Sequence, residues 1–160
     1  MMMSPAPTPR HQHAGGQLYK ILDACAATAG GLALPAPIDV ALTPKTIAQP
    51  DVVYLRAGHE HLVGERINGV PDLVVEVLSP STANRDRVEK LDLYAAAGVP
   101  EYWIVDPKTR VMEFHVLDGE TYRVTARDSG EYQSPQFAEV QINLTQFWQT
   151  VDRRLPPAKD

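Results

Sequence analysis

Glu76 is the residue whose position first suggests chemistry in this chain. It lies in the run from Leu73 to Leu78, which is apolar on both faces, rich in β-branched residues and too short for a helix. We therefore predict a strand that is covered on both sides. A carboxylate in such a strand costs free energy unless it is paired, neutralised or bound to a metal, so Glu76 requires a partner.

A second carboxylate, Asp51, is the best candidate to meet Glu76. Asp51 follows Pro50 at the start of another predicted strand, Asp51 to Leu55, just as Asp72 follows Pro71. Side chains alternate along a strand, so Glu76 shares a face with Asp72. If the two strands are neighbours, Asp51 and Glu76 can converge. Two adjacent carboxylates repel unless a proton or cation lies between them, and their oxygens suit Mg²⁺ or Mn²⁺, so we predict a metal site.

Three basic residues lie on the predicted helix that follows Glu76. Lys90 flanks the apolar stripe of this helix and can reach over the edge of the sheet, where it would hold a water or offset charge on a phosphate. The alternative is an ion pair with Asp86 one turn earlier. Arg85 and Arg87 are candidates for binding nucleic-acid phosphates, or else a solvated helix face.

The elements around these residues follow from local patterns. The segment from Pro71 to Pro107 predicts strand, helix and strand, with capping residues at Ser79 to Thr82 and a stop at Gly98, and its two strands should be parallel. Asp118-Gly119 predicts a hairpin. Further expected elements are a helix from His11 to Ala29, a strand from Pro35 to Leu42, a turn from Pro44 to Gln49, a flexible connector from Arg56 to Val70, a strand from Val140 to Leu144 and a last helix capped by Thr145.

Three histidines, His11, His13 and His115, are assigned to the surface. His11 and His13 are two residues apart, which does not place both rings on one face of a helix, so a metal pair there is not expected. His115 alternates with Met112, Phe114 and Val116 along a predicted strand and should therefore point to solvent.

Composition sets the broad class. The chain has 160 residues, 44% hydrophobic and 22% charged, which predicts a single domain over residues 11–151, with an extended segment 1–10 and a loose tail 152–160. The net charge of −5 argues against a surface that attracts nucleic acid everywhere, but allows a local basic rim. The single Cys25 and the lack of a membrane-spanning stretch favour a cytoplasmic protein with no membrane partner.

Three consecutive motifs carry a resemblance to a known family. PDLVVEVLSPST, the helix RDRVEKLDLY and AGVPEYWIVDP resemble the Uma-two family, which is described as a family of restriction endonucleases within the PD-(D/E)XK nuclease-like superfamily. The resemblance implies an α/β fold: a restriction-endonuclease-like core with a mixed central β-sheet flanked by helices. Asp51 and Glu76 then match the two acids of the superfamily motif. Leu78 stands where the motif lysine is expected, which makes Lys90 the candidate for that lysine.

The resemblance also implies a function. It predicts a Mg²⁺- or Mn²⁺-dependent endonuclease that hydrolyses phosphodiester bonds of nucleic acid, with DNA as the expected substrate and a homodimer as the expected assembly. Relatives carry a strand pair with a further acid before the SPAP-like stretch, and this chain begins at that stretch. An inactive nuclease-like module that binds nucleic acid or protein is therefore the alternative, and a salt bridge that makes Glu76 purely structural is a third.

Overall fold

The computed structural model describes residues 8–80 and 84–157, without the side chain of Arg85. Its helices are α1 (Pro9–Ala29), α2 (Asn84–Ala97) and α3 (Leu144–Arg154), and Glu60–Leu62 form a short 3-10 helix. Its strands are β1 (Leu32–Pro35), β2 (Val40–Thr43), β3 (Thr46–Ala48), β4 (Val52–Leu55), β5 (Ile67–Asn68), β6 (Leu73–Val77), β7 (Glu101–Asp106), β8 (Val111–Asp118), β9 (Thr121–Arg127), β10 (Glu131–Gln133) and β11 (Gln141–Asn143).

A six-stranded sheet forms the centre of the molecule, in the order β1-β4-β6-β7-β8-β9. β6 and β7 are parallel, whereas the other neighbouring pairs are antiparallel, so the sheet is mixed. A parallel pair needs a crossover connection, and α2 supplies it. The predicted α/β fold with a mixed central sheet flanked by helices is confirmed, as is the predicted strand, helix and strand unit.

The sheet is covered on both faces. One hydrophobic cluster contains residues of α1 and α3 and the odd-numbered residues of β6. The other contains Val74, Tyr94 of α2 and Tyr102 of β7. All five residues of β6 are buried, as a strand between two layers requires. Glu76 lies on the α2 face, because it shares the parity of Val74.

α1 begins earlier than the sequence pattern indicates. Thr8 caps it by accepting a hydrogen bond from the backbone N–H of His11, and Pro9 occupies its first turn, where the missing N–H costs nothing. The expectation of an extended segment 1–10 is therefore wrong for Pro9 and Arg10, and residues 1–7 lie outside the described part. The helix ends where expected, with Gly30 in the left-handed conformation.

The stretch from β1 to β5 is more structured than expected. The predicted strand from Pro35 to Leu42 contains only the last residue of β1 and most of β2, and residues 36–39 between them belong to neither strand. Pro35 and Pro37 have no N–H to donate to a ladder. The predicted turn from Pro44 to Gln49 contains β3, which pairs with β2. The connector from Arg56 to Val70, predicted to be flexible, contains the 3-10 helix and β5, which pairs in parallel with β2.

The carboxyl-terminal helix is predicted with two errors. Asn143, and not Thr145, caps α3 through its side chain, which accepts from the backbone N–H of Gln146. Thr145 instead accepts from the backbone N–H of Gly130. α3 also continues to Arg154, so the expected tail from residue 152 starts inside the helix. Among the described residues, no helix is long and apolar enough to cross a membrane.

Candidate active site

Glu76 is buried at the carboxyl end of β6 and both of its oxygens have partners. Its side chain is 8% exposed, Lys90 Nζ donates to Oε1 at 2.6 Å, and the Tyr102 hydroxyl donates to Oε2 at 2.8 Å. Lys90 comes from α2 and Tyr102 from β7, so three elements meet at this carboxylate. The alternative pair of Lys90 with Asp86 is not the contact observed.

Asp51 lies beside Glu76 because β4 is antiparallel to β6. Val52 pairs with Val75, so the start of β4 meets the end of β6. The backbone N–H of Asp51 donates to the Val75 carbonyl at 3.0 Å, and Asp51 Oδ2 accepts from the backbone N–H of Val77 at 2.7 Å. The structure thus places the two acids on neighbouring strands at one end of the sheet.

Burial is the largest influence on the pKa of Glu76. Desolvation raises the pKa of Glu76, the charge and hydrogen bond of Lys90 and the hydrogen bond of Tyr102 lower it, and the negative charge of Asp51 raises it again. The net effect is a pKa of Glu76 above its ordinary value. Glu76 is therefore a carboxylate for which positive charge close by is strongly favourable.

Aromatic rings surround Tyr102, the residue whose hydroxyl donates to Glu76. Tyr102 packs against Tyr94 of α2, with ring centroids 4.7 Å apart, and against His115 of β8 at 5.8 Å. Burial raises the pKa of both tyrosines, and the Glu76 charge adds to the effect, so they stay protonated. Tyr102 can thus act toward Glu76 only as a hydrogen-bond donor.

His115 is buried, and its prediction as a surface residue is wrong. It is 4% exposed, its Nε2 lies 3.1 Å from Glu113 Oε1, and burial lowers its pKa. Alternation correctly places the side chains of His115 and Phe114 on opposite faces of β8, but both faces of β8 are covered at this point. An alternating polar residue is exposed only where one face of a sheet meets solvent.

The two arginines proposed to bind phosphate lie one turn before Lys90 on α2. The Arg87 guanidinium forms an ion pair with Glu113 at 2.7 Å, and both side chains are about one-third exposed, 30% and 29%. Arg87 and Lys90 therefore tie the same face of α2 to the sheet through two carboxylates. Arg85 is part of α2, and its side chain lies outside the described part of the structure.

His11 reaches this site, and its prediction as a surface residue is wrong. Its Nε2 lies 2.6 Å from the Val77 carbonyl oxygen and 3.9 Å from Asp51 Oδ2. The sequence did carry a signal for its burial, because His11 is followed at helical spacing by the buried residues Ala14, Leu18, Leu22 and Cys25. His13 is only partly buried.

Asp72 does not belong to the site, although it shares a face with Glu76. It is buried at the opposite end of β6, where it accepts from the backbone N–H of Arg56 at 2.8 Å and lies 2.9 Å from His59 Nδ1. Asp72 therefore fastens the start of the loop after β4. Its separation from Glu76 along the strand also makes it a useful control.

The ligand chemistry of the site fits a hard divalent cation in type. Asp51 and Glu76 would hold it, since both offer carboxylate oxygens and Glu76 lies where positive charge is favoured. Within residues 8–80 and 84–157, no group of three or more histidine, cysteine, aspartate or glutamate side chains is arranged to hold a metal ion. The remaining ligands would therefore be backbone oxygens or water.

Comparisons with known proteins identify the family and the fold of this chain. No curated protein matches the chain. A solved structure from Anabaena variabilis, named as a putative nuclease belonging to DUF820, is similar with a TM-score of 0.74 at 14% identity, over 94% of this chain and 86% of that chain. The fold is therefore shared with that protein. The model of the Uma2 family, described as "Putative restriction endonuclease", matches residues 1–146, so this chain belongs to the Uma2 family.

Proposed function

We propose that this protein is a divalent-metal-dependent endonuclease that hydrolyses phosphodiester bonds of DNA. Membership of the Uma2 family and the fold indicate a restriction-endonuclease-like nuclease. The proposal of metal-dependent DNA cleavage depends on one observation: Asp51, Glu76 and Lys90 meet at the end of β6. Glu76 is a buried carboxylate, Asp51 is a second acid on the neighbouring strand, and Lys90 supplies an ammonium group.

Each residue has a distinct proposed role. Asp51 and Glu76 bind Mg²⁺ or Mn²⁺, which when bound would polarise the phosphodiester and lower the pKa of a water molecule. Lys90 is 46% exposed at its side chain, so its Nζ can contact Glu76 and still face solvent or substrate. Lys90 would orient the attacking water or offset the charge that develops on the phosphate. Arg85 and Arg87 would bind backbone phosphates beside the site.

The test is nicking of supercoiled plasmid by the purified protein with Mn²⁺. Glu76→Gln should abolish nicking, because it removes the charge of a metal ligand. Asp72→Asn is the matched control, since Asp72 is also a buried carboxylate of the β6 segment but lies at its other end, and this variant should nick like the parent. Equal rates for the parent and Glu76→Gln would contradict the proposed site.

One observation favours a second candidate, a nuclease-like module that binds nucleic acid or protein without cleaving it. Both oxygens of Glu76 already have protein donors, as a structural ion pair would. A parent that binds DNA but shows no nicking of DNA or RNA with either cation would favour this candidate. The homodimer and the cytoplasmic location also remain predictions, and sedimentation of the purified chain tests the first.

A further inference from the structure

His11 is a buried residue of the site that the proposed function leaves without a role. It is 9% exposed, and histidine is less often fully buried than the apolar residues of a core. Its ring lies on the α1 side of β6, whereas Lys90 approaches from the α2 side. The end of β6 is therefore held from both layers.

The contacts of His11 converge on one peptide segment of β6. Nε2 lies 2.6 Å from the Val77 carbonyl oxygen, which can only accept, so Nε2 carries the proton and donates. The backbone N–H of the same residue donates to Asp51 Oδ2 at 2.7 Å. His11 and Asp51 thus fix the carbonyl and the amide of Val77, the residue directly after Glu76.

The helix that carries His11 is itself anchored at this point. The neighbouring Arg10 donates to the carbonyl oxygens of Pro107 and Leu155 and forms an ion pair with Asp152 at 2.8 Å. These contacts tie the start of α1 to the loop after β7 and to the end of α3. These contacts hold the start of α1 in place and so fix the position of the His11 ring against β6.

Stability alone gives a poor account of this histidine. Its Nδ1 is buried and makes no hydrogen bond within the described residues. A buried polar atom without a partner is costly, so a histidine retained only for packing would be inferior to an apolar side chain of similar size. The unpaired nitrogen points to a role for the other nitrogen.

We infer that His11 is a positioning residue of the site: its Nε2–H holds the Val77 carbonyl so that Asp51 and Glu76 keep their mutual geometry. This inference rests on the proposed function only for what the two carboxylates do. Groups that orient metal ligands commonly change metal affinity or activity about ten- to a hundredfold when removed. His11 does not contact substrate in this account.

Three variants separate positioning from packing. His11→Leu keeps the volume and removes the donor, whereas His11→Gln offers a side-chain N–H in place of Nε2–H. Leu22→Ala is the control, because Leu22 lies on the buried face of the same helix, is 0% exposed and is about three turns further along α1 than His11. Thermal unfolding of each variant, compared with the parent, gives the loss of packing.

The first readout needs no metal. NMR spectra of the metal-free protein follow the Val77 amide and the carboxyl carbons of Asp51 and Glu76. His11→Leu should shift all three signals, His11→Gln should shift them less, and Leu22→Ala should leave them at the parent positions even where it melts at a lower temperature. Signals that are the same in His11→Leu and the parent would overturn the inference.

The second readout is the affinity for Mg²⁺, followed through the same signals. His11→Leu should bind about ten- to a hundredfold more weakly than the parent, with most of the loss recovered in His11→Gln. Equal affinity in His11→Leu and the parent would overturn the role of His11. A parent that binds no Mg²⁺ would contradict the proposed function instead, and the metal-free spectra would then decide the inference about His11 by themselves.

Discussion

Removal of Lys90 should destabilise the protein more than removal of the Glu76 charge. The Glu76 side chain is 8% exposed and the Lys90 side chain 46%. Removing one partner of a buried ion pair costs about 3–5 kcal/mol, and the solvent around Lys90 reduces this, so Lys90→Ala should lower the free energy of unfolding by about 1–2 kcal/mol. Glu76→Gln removes the buried charge itself, so it should change this free energy by less than about 1 kcal/mol or raise it.

The pH dependence of the same proteins follows from the raised pKa of Glu76. The folded protein binds the Glu76 proton more tightly than the unfolded chain, because burial raises the folded pKa. The free energy of unfolding of the parent, relative to Glu76→Gln, should therefore rise as pH falls through the folded pKa toward the ordinary carboxyl range. Lys90→Ala raises this pKa further, so its deficit relative to the parent should shrink on acidification.

The assay is urea unfolding of the parent, the two single variants and the double variant at about pH 8 and about pH 5. A coupling free energy of about 1–2 kcal/mol at the higher pH, and a smaller one at the lower pH, is the expected result. If Glu76→Gln instead lowered the free energy of unfolding by more than about 2 kcal/mol at the higher pH, Glu76 would be a stabilising ion-pair residue and the reasoning would be refuted.

Two further predictions concern the metal and the phosphates. A cation that binds only the folded state stabilises it by about 2.7 kcal/mol at a hundredfold excess over its Kd. Mn²⁺ should therefore raise the Tm of the parent and leave the Tm of Asp51→Asn/Glu76→Gln unchanged. Equal Tm shifts in the two proteins would rule out the proposed metal site. Arg85→Ala/Arg87→Ala should weaken binding to all DNA sequences alike and flatten its salt dependence. The matched control is Glu113→Gln, which removes the ion-pair partner of the Arg87 guanidinium and should not weaken DNA binding. Undiminished DNA binding by the double arginine variant would assign both arginines to the solvated surface.

The central unit of the fold could be predicted because its signals are local. The β-branched run around Glu76, the stop at Gly98 and the following apolar strand specify β6, α2 and β7 without knowledge of the rest of the chain. The adjacency of Asp51 and Glu76 needed one further assumption, that their strands are neighbours, and the register of β4 and β6 meets it. The roles assigned to both residues remain predictions.

The contact made by His11 and the burial of His115 could not be predicted by the same reasoning, since both depend on distant elements. The contact of His11 with Val77 joins residues 66 positions apart. Helical spacing shows which face of α1 is buried, but not that the face ends against a polar site. The burial of His115 likewise depends on the packing of Tyr102 and Tyr122 around it.

The most direct test of the proposed function is the rate of single-turnover nicking by Lys90→Ala with saturating Mn²⁺. Lys90 is proposed to act on the water or the phosphate and not to bind the metal. The variant should therefore keep DNA binding and the Mn²⁺-induced rise in Tm, while its rate falls about a hundred- to a thousandfold. A Lys90→Ala protein that nicks as fast as the parent would contradict the catalytic role assigned to Lys90.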